Sequence, residues 1–475
     1  MPLPPGPRAP VLVQTWEWLR RPTELLRRCA ERHGSTFTLS VVGLGTMVVV
    51  WAPADVRRLF AAGPDELCQP RNARFLAALG PSSLLLLNGE EHLRHRRLLV
   101  PALRVRSGPG LHELTRLHER ILSTWPLGSP LPLLPRLQDL TRRSIVQRIF
   151  GDSADDAALA DAVCALCARA SAVMSDPLTV LPLSVQRLLG RRSPWAQALD
   201  VLRQGNLHLY RAIARRRRVR DLAARQDVLS QLILARDEAG RRLSDAELRD
   251  ELFTLLIAGV DTTAIVLCWT LHELLGQPAL LAQLQAQVRS VQRDAALDVE
   301  ALEHLPLLDA ALRETLRLWP VFPILARQLL RPMQLSAGEL PAGTRVALCP
   351  YLSHRNPQVF PNPDQFLPER FLGPGSRKIP AASYFPFGGG LRRCVGADLG
   401  LHEMKLILGT LLARLSLERA DPSPLRPAWR FFSLAPSSGL PVVLTEAAGR
   451  SAGPGHAGHE VPTDELHLKA VACAS

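Results

Sequence analysis

Residues 385–396 read Phe-Pro-Phe-Gly-Gly-Gly-Leu-Arg-Arg-Cys-Val-Gly, and one side chain in that run, the thiol of Cys394, has chemistry of its own. Three glycines lead towards it, and the apolar spacing that follows predicts a helix over 396–416. A thiol at a helix start meets free N–H groups and the positive end of the helix dipole, which favour the thiolate. Glycines nearby let the backbone come close to a flat cofactor. One cysteine cannot build a zinc or iron–sulfur site, whereas a lone thiolate with an apolar wall and a cation suits a haem iron. In that arrangement Arg392 would face a propionate, Phe387 would pack beside the sulfur, and Gly396 would close the loop on the cofactor. The bland alternative is a buried structural cysteine behind a glycine-rich turn.

Other stretches ask for a chemical reason too. Ala258-Gly259-Val260-Asp261-Thr262-Thr263 lies in an apolar segment whose helix is expected to begin near Ser244. A glycine, an acid and hydroxyls in mid-helix cost stability. Thr262 can bond back to the Ala258 carbonyl and loosen the helix, while Ala258 and Gly259 leave the backbone bare enough for dioxygen and a porphyrin. Glu314-Thr315-Leu316-Arg317 is followed later by Pro368-Glu369-Arg370-Phe371. The Glu-x-x-Arg spacing alone says little, since Glu17, Glu24, Glu91, Glu113 and Glu238 also precede an arginine by three residues. Glu314 is selected by its place, in a helix before a proline-rich segment and ahead of Cys394. His92 and Arg96 fall one turn apart on one helix face.

These stretches resemble the cytochrome P-450 family. Residues 387–396 match its haem-binding signature, F-x-x-G-x-(R or H)-x-C-x-G, at every fixed position. Residues 258–262 are similar to its oxygen-activation motif, (A or G)-G-x-(D or E)-T, and the two later stretches to its E-x-x-R and second arginine motifs. The resemblance covers about residues 4 to 445 in family order. It implies an α+β fold, mainly α with minor β: a triangular helical domain with small β-sheets around a buried haem b (iron protoporphyrin IX). Cys394 would be the axial iron ligand. His92, Arg96 and Arg327 would join Arg392 at the propionates; many members have Trp where this chain has His92. Thr262 would steady the oxygen and Asp261 relay protons. Glu314, Arg317 and Arg370 would form a buried charge network holding the cysteine loop.

The activity implied is a haem-thiolate monooxygenase that inserts one oxygen atom from O2 into a C–H or C=C bond. Its substrate would be an apolar small molecule such as a terpenoid, steroid or fatty acid. Electrons would come from NAD(P)H through a separate ferredoxin or flavodoxin and its reductase, docking on a basic face over Cys394. Pocket candidates are Phe75, Leu79, Leu255, Ala258, Val321, Ile324 and Leu434. A peroxide-using or peroxide-rearranging member is a rival reading, against which the intact Asp261-Thr262 pair argues. A non-catalytic haem sensor or carrier is another.

The elements that must position these groups follow from the wider pattern. A β-hairpin within 36–60 feeds a helix from Pro53, and helical spacing dominates 85–318. Short strands and ordered loops fit 320–390; two strand-like pieces, Phe431 to Leu434 and Pro441 to Leu444, close a single domain over 1–445. The tail 446–475 is expected to be disordered.

Composition narrows the rest. Lys+Arg number 57 against 44 Asp+Glu, a net +13, yet the arginines are spread out and aromatics are only 5%, which counts against nucleic-acid binding. The run Arg215 to Arg218 reads as a solvated helix face. Eight scattered cysteines fit a reducing compartment, with Cys164 and Cys167 as neighbours on a helix rather than a redox pair. No targeting segment is visible, and no run reaches the roughly 18 apolar residues that span a bilayer. Pro4-Pro5-Gly6-Pro7 resembles the proline hinge of membrane-bound members, but no anchor helix precedes it. The expectation is a cytoplasmic, soluble monomer with no membrane anchor.

Overall fold

The computed structural model describes residues 3–447 except 71–78, 106–108, 152–156, 177–185, 187, 294–295, 374–378 and 431. Phe75 and the tail beyond 447 lie outside the described residues.

Two helices open the chain, α1 (Val11–Arg20) and α2 (Pro22–His33), before the expected hairpin β1 (Thr36–Val41) and β2 (Gly45–Val50) and helix α3 (Pro53–Ala61). After β3 (Leu67–Cys68) come α4 (Gly89–Ala102), α5 (Pro109–Leu122), β4 (Pro130–Pro132), α6 (Leu133–Phe150), α7 (Ala157–Ser175), α8 (Pro194–Arg217) and α9 (Val228–Leu234). The long α10 (Asp245–Leu275) leads to α11 (Pro278–Ser290), α12 (Val299–Glu303) and α13 (Pro306–Leu318). Strands β5 (Leu325–Leu329), β6 (Met333–Leu335), β7 (Gly338–Leu340) and β8 (Arg345–Leu348) precede α14 (Pro350–Ser353) and α15 (Ala397–Arg414). The chain closes with β9 (Leu415–Arg419), β10 (Pro427–Arg430), β11 (Ser433–Pro436) and β12 (Pro441–Glu446).

The largest sheet runs β1-β2-β8-β5-β3, with β8 parallel to β2 and antiparallel to β5. Its valines split by parity, as the period of two requires. Met47 and Val49 pack with Trp18, Leu25 and Leu26 on one face; Val48 and Val50 pack with Val56, Leu59 and Leu348 on the other. A second sheet is β9-β12-β4, and β10-β11 is a hairpin. The expected strand at Phe431 to Leu434 is met at Ser433 and Leu434, which open β11, while Phe432 lies in the turn before it and Phe431 lies outside the described residues.

At the centre lies α10. Ser244 Oγ accepts from Glu247 N–H while Glu247 Oε2 accepts from Ser244 N–H, a capping box at the expected start. The helix is long and apolar enough to cross a bilayer, but 67% of its most apolar stretch is buried inside the protein. In the four-arginine run Arg215, Arg217 and Arg218 are exposed as expected, while Arg216 is buried, bonded to Asp227, Ser230 and the Phe150 carbonyl. Cys164 and Cys167 share α7, both buried, with burial pushing their thiols up to about 11 and about 12.

Candidate active site

The cysteine loop is closed by its own backbone. Gly388 N–H donates to Phe385 O at 2.9 Å, Arg393 N–H to Gly390 O at 3.1 Å and Cys394 N–H to Phe387 O at 2.9 Å. Gly388 and Gly390 adopt φ of +69° and +60°, where glycine alone is unstrained. A Cβ added to Gly389 would collide with the Phe60 ring, and one on Gly390 with the Phe60 carbonyl. These two glycines therefore answer to α3 packed on the loop, and not only to a flat cofactor as the sequence suggested. The Phe387 ring packs on the core shared by α10, α13 and α15.

Cys394 is solvent-accessible, yet enough protein surrounds it that burial raises its thiol above the usual range. The Gly396 N–H, Arg393 and Arg96 pull the other way without winning. The pull of the Gly396 N–H is in the direction expected of a loop at a helix start. A metal coordinated at the sulfur would deprotonate the thiol outright.

Beside the loop lie four basic side chains. His92 and Arg96 project from α4, Arg327 from β5, and Arg392 from the loop itself. Arg392 donates to the Leu84 and Leu87 carbonyls and to Asn88 Oδ1, and Arg96 reaches the Arg393 carbonyl. None of the four pairs with a carboxylate among the described residues. Burial, then Arg392, holds Arg327 down to about 10; burial and Arg96 hold Arg392 down to about 10. Burial, then Arg392, Arg96 and Arg327, pushes His92 down to about 3, so its imidazole is neutral. His92, Arg327, Arg392 and Gly389 line one cleft.

On α10, Ala258 is exposed although Leu256 and Val260 beside it are buried, so one mid-helix face opens inward. Thr262 Oγ1 donates to the Ala258 carbonyl at 2.6 Å, as its type and spacing led one to expect. Gly259 also serves packing: a Cβ there would lie 3.0 Å from Ile145, so it lets α6 and α10 approach. From α6, Gln138 Nε2 donates to Asp261 Oδ1 at 2.6 Å and Thr141 Oγ1 to the Val260 carbonyl at 3.1 Å. Nothing in the sequence marked Gln138 or Thr141, because their partners are remote in the chain.

Glu314 and Arg317 are fully buried and meet in a two-point pair at 2.7 and 2.8 Å. Arg317 also donates to the carbonyls of His354, Pro363 and Gln365, and Glu314 accepts from Leu367 N–H and, at 3.3 Å, from Arg370 Nε. The network thus binds α13 to segment 354–370 rather than gripping the cysteine loop directly. The link to the loop is His354, which sequence reasoning missed: its Nε2 accepts from Phe385 N–H at 2.9 Å. Burial, then Arg317 and Arg355, pushes His354 down to about 3, which keeps Nε2 free to accept. Between α4 and α10, His95 Nδ1 lies 2.7 Å from Glu251 and Nε2 3.2 Å from Glu247.

The pocket candidates divide among packing regions. Leu79 and Leu255 belong to the core around α6–α10, Val321 to that of α13 and α15, and Ile324 to that of the N-terminal sheet. Val321 and Leu434 are joined by Leu434 N–H donating to the Val321 carbonyl at 3.0 Å. No contact gathers the whole set.

This donor set fits the group the sequence pointed to. A lone accessible thiol suits one metal ligand, and half-buried cations without acids suit two carboxylates brought in by a cofactor.

Comparisons with known proteins agree. The profile of the cytochrome P450 family matches residues 4–440. The chain is 35% identical over 448 residues to putative cytochrome P450 135B1 of Mycobacterium tuberculosis strain H37Rv, covering 93% of this chain and 91% of that protein. It is 32% identical over 448 residues to putative cytochrome P450 138 of the same strain, covering 93% and 96%. Among solved structures it is similar to retinoic acid-bound cyanobacterial CYP120A1, with a TM-score of 0.80, 24% identity and coverage of 94% and 100%. It is also similar to the haem domain of cytochrome P450DA, with a TM-score of 0.79, 25% identity and coverage of 94% and 98%.

Proposed function

Since the chain belongs to the cytochrome P450 family and is a haem monooxygenase, we propose that Cys394 is the axial ligand and that the substrate is an apolar small molecule of terpenoid, steroid or fatty-acid type. Haem bound here supplies O2 activation and insertion of one oxygen atom into a C–H or C=C bond. The protein residues position and protonate. His92, Arg96, Arg327 and Arg392 take the propionates, and the Gly396 N–H steadies the sulfur. Thr262 and Asp261 hold and relay protons on the exposed face of α10. Glu314, Arg317 and Arg370 fix the segment that, through His354, holds the start of the cysteine loop. Electrons come from NAD(P)H through a separate ferredoxin or flavodoxin and its reductase, in the cytoplasm.

The observation that carries this reading is an accessible thiol on a backbone-closed loop beside half-buried cations that lack acids. The test is the spectrum of the reduced, CO-bound protein. Cys394→Ala abolishes the red-shifted Soret band of the thiolate-ligated form. Thr262→Ala keeps the band but diverts reducing equivalents to peroxide; unchanged coupling removes Thr262 from the mechanism. Turnover with peroxide alone, matching turnover with ferredoxin and reductase, would favour the peroxide-using alternative.

A further inference from the structure

Helix α1 is built inside out. Its buried side chains are Gln14 and Trp18, 5% and 4% exposed, while Leu12, Trp16 and Leu19 stand 74%, 58% and 46% exposed. Those three fall at i, i+4 and i+7, a single stripe down one face, with Val13 beside it at 45%. The orientation is bolted from within. Gln14 Nε2 donates to the Ala9 carbonyl at 2.8 Å, and its Oε1 accepts from Ser40 N–H at 2.9 Å. The Trp18 ring lies 4.9 Å from that of Trp429. Thr15 Oγ1 accepts from Val42 N–H at 2.9 Å, which brings Val42, 50% exposed, alongside the stripe. An exposed apolar stripe of this kind marks an interaction site.

The rim says what covers it. Arg8 and Arg20 are exposed and have no carboxylate partner among the described residues, and Arg21 pairs only with exposed Glu24 at 3.4 Å. The one acid on the helix, Glu17, turns to Arg28 at 2.7 Å. An apolar stripe with an indole at its centre and unpaired arginines at its edges matches the boundary of an anionic bilayer, where apolar side chains sink and cations meet headgroups.

We propose that α1 and the β1–β2 turn adsorb to the surface of an anionic lipid membrane, lying in its plane without crossing it. The haem-loaded full chain is floated with vesicles of phosphatidylcholine, with and without about one-third phosphatidylglycerol. Expected is co-flotation with the anionic vesicles, weakened by salt. Leu12→Ser with Trp16→Ser lowers the bound fraction about tenfold, and Arg8→Gln with Arg20→Gln removes the preference for anionic lipid. Both variants keep the CO-bound spectrum, since neither touches the cysteine loop. A parent that stays unbound at low salt, or apolar variants that float as well as the parent, overturns the proposal. So does a concentration-dependent dimer in sedimentation that the same apolar substitutions dissolve without vesicle binding, because a second copy would then cover the stripe.

Discussion

Replacing His354 with phenylalanine separates two effects that the structure places in one ring. The substitute keeps an aromatic ring against Tyr384 and Phe385, now 5.3 and 5.2 Å from the imidazole centroid. It cannot accept from Phe385 N–H, and a stranded buried donor costs about 1–3 kcal/mol. The second effect is a proton. His354 stays neutral to about pH 3 in the folded chain, whereas an unfolded histidine titrates near 6.5. A depressed pKa contributes stability that is present above about 6.5 and lost as pH falls towards 3. At about pH 5 that loss reaches roughly 2 kcal/mol. The parent suffers it and His354→Phe does not. The variant is therefore less stable by about 1–3 kcal/mol near pH 7.5, and the gap closes by about 2 kcal/mol near pH 5. Melting midpoints of the haem-loaded proteins at the two pH values measure this, with the CO-bound spectrum reporting the loop. A stability gap that does not change with pH would refute the assignment of His354 as a neutral acceptor.

Arg392→Leu removes a cation from the acid-free group, and haem passes to an excess of apo-acceptor about ten to a hundred times faster than from the parent. Gln138→Leu frees Asp261 from its one described side-chain donor. Product per reducing equivalent falls about threefold to tenfold with a shifted pH profile, whereas a parent-like partition with an unmoved profile excludes Gln138 from proton delivery. Burial holds the Glu403 carboxyl up to about 7, so its contribution to stability is present below about 4.5 and lost as pH rises through 7. Glu403→Gln therefore gains on the parent by about 2–3 kcal/mol between pH 5 and pH 8, read from melting midpoints.

What the sequence made legible was contiguous. The Cys394 loop, the Ala258–Thr262 segment and the Ser244 start of α10 each carry their signal within a dozen residues. Glu314 could be chosen only by its place, and the pair's true anchorage, through Arg317 to the carbonyls of 354, 363 and 365 and through Glu314 to the Leu367 N–H, is backbone and leaves no mark on residue type. His354, Gln138 and Thr141 act across long separations on a backbone N–H, a carboxylate and a backbone carbonyl. Glycine meets a second demand that residue type does not show: Ile145 presses on Gly259, and Phe60 on Gly389 and Gly390. Helices α1 and α2 precede the first element read from the sequence; Pro10 stands at the cap of one and Pro22 opens the other, where proline sits comfortably.

The gathering of Arg96, Arg327 and Arg392 without acids has a cost that falls on the newly made polypeptide. Like charges held together in a partly desolvated cleft repel, and only an incoming dianion relieves them. Cofactor uptake is therefore coupled to the last stage of maturation, and whatever binds the native state alone raises its share of the population. The standing amount of competent enzyme would track the cell's supply of porphyrin as much as its rate of synthesis, with chains made during a shortage left to proteolysis.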